Sequence, residues 1–92
     1  MRHAAVQHAE GIHARPAEQI ARLATQYSSE VILVRDSQRV DAKSIFSVLT
    51  LGAHQGIELI VEAIGPDAED AVEAVAQLVQ SDFPVESQTD NQ

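Results

Sequence analysis

Between residues 2 and 80 the apolar residues change period repeatedly, from every second residue to every third or fourth, and no single period outlasts a short element. Such a chain builds short strands mixed with short helices. That mixture points to one mixed or antiparallel sheet with helices packed on a single face. Residues 2–8 read as a first strand and 10–15 as a loop. Residues 16–27 read as an amphipathic helix, because Ile20, Leu23, Ala24 and Tyr27 share one face. Pro16 suits its first position, where a missing N–H costs nothing. Residues 30–35 read as a strand, 36–38 as a turn and 39–42 as a short return strand. Residues 44–51 read as a helix capped by Ser44, with Ile45, Val48 and Leu49 on one face and Gly52 just past its end. Residues 57–64 alternate, with Ile57, Leu59, Val61 and Ala63 on one face and Glu58 and Glu62 on the other. After Gly65-Pro66-Asp67, a last helix carries the stripe Ala68, Ala71, Val72, Val75 and Leu78, with Asp67, Glu69 and Asp70 at its positive end. The order is β-α-β-β-α-β-α.

The 92 residues make a single domain, expected over 1–80, with 81–92 as a frayed tail poor in apolar anchors. The core is aliphatic: 10 Val, 7 Ile, 6 Leu and 14 Ala stand against 3 aromatics. The longest run of Val, Ile or Leu is four residues, Val31 to Val34, whereas a bilayer span needs about 20 apolar residues. No membrane insertion is expected. The first eight residues carry no apolar signal region, so the expected location is cytoplasmic. The absence of cysteine excludes disulfides and thiol chemistry. The net charge of −8 is unevenly spread: every base lies at or before Lys43, and nine acids with no base follow from Glu58 onward. An acidic chain is a poor nucleic-acid binder, because phosphate contacts supply most of that affinity.

The segment Gly11-Ile12-His13-Ala14-Arg15-Pro16-Ala17 carries the chemistry. It puts a histidine and an arginine at the mouth of a helix. The first turn of a helix leaves N–H groups unpaired, and with the helix dipole they form an anion site. With the helix starting at Pro16, the nearest donors are the amides of Ala17 and Glu18. Arg15 adds a charge-assisted contact. His13 supplies a ring nitrogen that is a nucleophile when neutral. Gly11 lets the chain turn sharply and carry the ring over the helix end. An isolated His-x-Arg-Pro is more often a surface histidine in a strand-to-helix loop. His8 and His13 make a metal pair without a third ligand placed by local spacing, so no metal and no cofactor are expected.

That segment, with Asp41-Ala42-Lys43-Ser44-Ile45-Phe46, Leu51-Gly52 and Gln55-Gly56 at matching spacings, resembles the HPr family. These are the histidine-containing phosphocarriers of the bacterial phosphoenolpyruvate-dependent phosphotransferase system. The resemblance implies an α+β fold, an open-faced β-sandwich of four antiparallel strands with three helices on one face. It implies a phosphoryl carrier, not an enzyme in its own right, that takes phosphate from enzyme I and passes it to enzyme II A-type proteins. His13 matches the phosphorylated histidine, modified on Nδ1, and Arg15 the arginine beside the phosphate. Ala17 and Glu18 match positions whose amides face it. Ser44 matches the serine that a dedicated HPr kinase/phosphorylase modifies in some lineages. Ile20, Arg22, Phe46, Ser47, Val48, Leu49 and Leu51 fall around the partner-docking patch. A monomer is the family expectation.

Departures from the pattern bear on partner choice. Glu10 stands where a small or amide residue is usual, and adds a negative charge beside the acceptor. Ser37 replaces a turn glycine, Ser47 a glycine or lysine, and His54 a lysine. Glu10 and Ser47 keep open a second reading, a regulatory module of carbon or nitrogen control that signals through His13 and Ser44, whereas Ser37 changes only the hairpin. A plain binding domain without phosphotransfer would have to treat the long match as accidental.

Overall fold

The computed structural model describes residues 1–83. The elements are β1 (Arg2–Ala5), α1 (Ala14–Ala24), β2 (Glu30–Arg35), β3 (Gln38–Asp41), α2 (Ile45–Leu49), β4 (Glu58–Ile64) and α3 (Ala68–Gln80). The four strands form one antiparallel sheet in the order β1-β4-β2-β3. Register follows from alternation. Leu33 pairs with Val61 and Ala4 with Leu59, and all four are buried on the face that α3 covers. A slip of one residue would turn Glu58 and Glu62 inward, so the pattern allows one pairing. α1 packs against both α2 and α3, and the core continues between them through Ala17, Ile20, Ala24, Val48, Ala71, Val75 and Val79. The expected fold class is the one observed.

Boundaries moved where backbone hydrogen bonds decided them. α1 begins at Ala14, not Pro16, because the His13 carbonyl accepts the Ala17 N–H at 2.9 Å and closes the first turn. Pro16 is therefore the third helical residue. α1 also ends before Tyr27: the amides of Gln26 and Tyr27 bond three residues back, which tightens the chain into turns. β1 stops at Ala5, yet Val6 still donates to the Ile57 carbonyl at 2.9 Å. α2 is shorter than expected, and Ser44 caps it by accepting the Ser47 N–H at 3.2 Å.

The boundary expected at residue 80 does not hold for the residues just beyond it. Phe83 is buried in the core and meets the His8 ring edge-on, with centroids 5.7 Å apart. The Ser81 hydroxyl accepts the Phe83 N–H and donates to the Leu78 carbonyl, holding the turn. The rest of the expected tail, 84–92, lies outside the described residues.

Asp67 ties the start of α3 to the α1–β2 connection. Its carboxylate accepts the Ser29 hydroxyl and the amides of Ser28 and Ser29. Those bonds, the Ser29 hydroxyl first, hold the Asp67 carboxyl below its ordinary value. Because the folded value lies below the unfolded one, the stabilisation is complete above the unfolded value, near 3.9, and fades as pH falls through the folded one. Asp67→Asn is thus expected to lower the melting temperature at pH 7 and to flatten the acid limb of stability below about pH 4. Thermal melts from pH 2 to 7 check this, and an unchanged acid limb would contradict it.

Candidate functional site

The site is built on a turn. The Gly11 amide donates to the His8 carbonyl at 2.9 Å, and the next amide, of buried Ile12, donates to the Ala53 carbonyl at 2.8 Å. The following residue, His13, is the N-cap of α1, with extended backbone and no side-chain cap hydrogen bond. Its ring therefore does not cap the helix, and the side chain is 48% exposed at the helix end. Arg15 is exposed beside it, while Pro16 and Ala17 are buried beneath. A shallow depression of about 250 Å³ is lined by His8, Glu10, His13, Arg15, Pro16 and Phe83.

The donors differ from those expected. Ala17 spends its N–H on the His13 carbonyl, and Glu18 lies one residue further into the helical ladder. The first-turn amides ahead of that ladder belong to Ala14 and Arg15, since Pro16 has none. Both belong to the two residues that follow His13 in the chain. The expected donors Ala17 and Glu18 therefore lie within the helical ladder, and Ala14 and Arg15 carry the first-turn amides without a helical acceptor.

Two residues outside the expected set reach the acceptor. Glu10 places Oε1 3.3 Å from His13 Nε2. A carboxylate only accepts, so this contact favours a proton on Nε2 and leaves the lone pair on Nδ1. The His8 ring lies 5.7 Å from that of His13, tilted by 31°. His8 Nδ1 is 3.2 Å from Asp82 Oδ1, so it carries the proton there. The turn signal at Gly11 was the available hint that 8, 10 and 13 converge. The Asp82 contact spans 74 positions and leaves no local signal.

The expected docking residues divide. Phe46 is 82% exposed, Arg22 is exposed and ion-paired with Glu18 at 3.3 Å, and Ser47 and Leu49 are half-buried. Ile20, Val48 and Leu51 are buried in the core and cannot touch a partner. Ile45, outside the expected set, is exposed next to Phe46 in the chain. Helical spacing explains the split: Val48 lies two residues from Phe46 and faces the opposite side. Ser44 is half-buried at the head of this surface.

The family model described as the PTS HPr component phosphorylation site matches residues 1–81. The phosphocarrier protein HPr of Treponema pallidum is 43% identical over 76 residues, which cover 83% of this chain and 86% of that protein. The structure of HPr-C-His from Thermoanaerobacter tengcongensis superposes with a TM-score of 0.83 at 34% identity, covering 95% of this chain and 100% of that one. An HPr from Bacillus anthracis gives 0.82 at 32% identity, covering 86% and 94%. With a fold, an acceptor loop and a sequence that all agree, this chain belongs to the HPr family of phosphocarrier proteins of the phosphotransferase system.

Proposed function

We propose that His13 accepts a phosphoryl group from phosphorylated enzyme I and passes it to enzyme II A-type proteins. The observation that carries this is the exposed His13 ring at the N-cap of α1, with two free amides beside it. The Nδ1 lone pair attacks phosphorus as the donor's bond to it breaks, and the proton stays on Nε2 against Glu10. The amides of Ala14 and Arg15, the helix dipole and the Arg15 guanidinium face the charge on the transferred oxygens. The open setting lets two different partners reach the same nitrogen in turn. The chain is returned unchanged after each cycle.

Partners dock on the Ile45–Phe46–Leu49 surface, with Arg22 supplying charge nearby. Ser44 borders that surface, so phosphate placed there by an HPr kinase/phosphorylase would add negative charge at the docking face. The carrier acts in the cytoplasm as a monomer.

The test is intact mass after incubation with enzyme I, magnesium and phosphoenolpyruvate, before and after an acid wash. One phosphate that acid removes is expected. No uptake, together with an acid-stable phosphate from ATP and the serine kinase, would move the function to Ser44 and regulation. Arg15→Ala should slow transfer by about 100- to 1,000-fold, the range for losing a charge-stabilising donor, with the melt unchanged. Wild-type transfer rates in rapid-quench experiments would remove its role.

A further inference from the structure

We propose that His8, Glu10 and His13 form a site for a divalent transition metal of the zinc type. Each offers one ligand atom, and the three atoms lie within 4.8 Å of one another. A tetrahedral zinc with bonds of about 2.0–2.1 Å sets its ligands about 3.3 Å apart. Glu10 Oε1 and His13 Nε2 are already at 3.3 Å. Closing the third ligand takes at most about 1.5 Å, within one side-chain rotation of exposed Glu10 and His13. His8 is the fixed member. Asp82 accepts from its Nδ1 and Phe83 packs on its edge, which leaves Nε2 to bind metal. A carboxylate behind a ligating histidine is the usual way such rings are oriented and made more basic.

Two imidazoles and one carboxylate, with a fourth position open to water, suit zinc. Calcium and magnesium take oxygen ligands instead. The α1 dipole and Arg15 oppose a cation here, and the carboxylates of Glu10 and Asp82 offset them.

One consequence rests on the phosphoryl-carrier reading. Metal on His13 takes the Nε2 lone pair, so the neutral ring keeps its proton on Nδ1. The lone pair that would attack phosphorus is then gone. Metal and phosphoryl transfer are mutually exclusive at this ring.

Titration of the full chain with zinc chloride against a chromophoric chelator tests the site. One zinc per chain is expected. His8→Asn and Glu10→Gln should each weaken binding at least tenfold, and Asp82→Asn should weaken it less. A His3→Asn/His54→Asn double variant should bind as wild type. Absence of saturable binding, or binding indifferent to His8 and Glu10, overturns the site. Circular dichroism confirms that the variants fold, and His8→Gln serves if His8→Asn does not. Phosphate uptake is then measured with and without zinc. Zinc should block uptake by wild type and spare His8→Asn, a contrast that inhibition of enzyme I cannot produce. Zinc-insensitive uptake by zinc-loaded wild type overturns the coupling. Failure of uptake without zinc counts against the carrier reading alone, because metal binding is read separately.

Discussion

His13→Ala is expected to take up no acid-labile phosphate from phosphoenolpyruvate and enzyme I, where wild type takes up one. This is the largest effect anticipated from any single side chain, and it separates cleanly from folding. The His13 side chain is half exposed and makes no cap hydrogen bond. Its removal should change stability by no more than about 0.5 kcal/mol. The neighbouring imidazole cannot substitute. His8 lies 5.7 Å away by ring centroids, is held by Asp82 and Phe83, and is not the residue that caps α1. Acid-labile label retained in a folded His13→Ala protein would refute His13 as the acceptor. Label retained there but lost in a His8/His13 double variant would identify His8 instead.

The order of elements was legible because each has its own period and its own terminator. Ser44 before α2 and the alternation of 57–64 depend on neighbours in sequence alone. The first turn of α1 was not legible to the residue. Proline loses nothing at any of the first three helical positions, since all their N–H groups lack intrahelical partners. Placing Pro16 first and placing it third are equally consistent with the sequence. The structure has it third, so the first-turn amides without a helical acceptor are those of Ala14 and Arg15.

Contacts between distant segments account for the other differences. An apolar residue on a short helix reads the same whether it meets the core or a partner. Through the resemblance Ile20, Val48 and Leu51 belong to the expected docking set, although the core buries all three. Phe83 lies in a stretch poor in apolar residues and looks unanchored until the chain beyond β1 is followed to His8. The convergence of His8 and Glu10 on His13 depends on how the turn ending at Gly11 lies against 53–54, which is a tertiary fact.

That turn supplies the second large effect. Gly11 has φ +73°, a conformation that costs a residue with a Cβ about 1–2 kcal/mol. A Cβ there would also stand 2.7 Å from both the Ala53 carbonyl oxygen and the His54 Cα. Both are backbone atoms, so neither can rotate aside. The loop would have to lift away, and the bond from the Ile12 amide to the Ala53 carbonyl would be strained or lost. An unsatisfied buried amide adds about 1–3 kcal/mol. Gly11→Ala is therefore expected to cost about 2–5 kcal/mol, from a total of about 5–14 kcal/mol for a domain of this size. The melting temperature should fall by roughly 8–40 °C. Gly56→Ala separates strain from collision. Gly56 also has positive φ, +92°, but nothing lies within 4 Å of its would-be Cβ. It should cost only about 1–2 kcal/mol. If Gly11→Ala melts no lower than Gly56→Ala, the close approach to 53–54 is not what holds the loop. If it melts lower, phosphate uptake measured well below its melting point decides the rest. Slower uptake by a folded Gly11→Ala protein means that the same contact also sets the position of His13 over the end of α1.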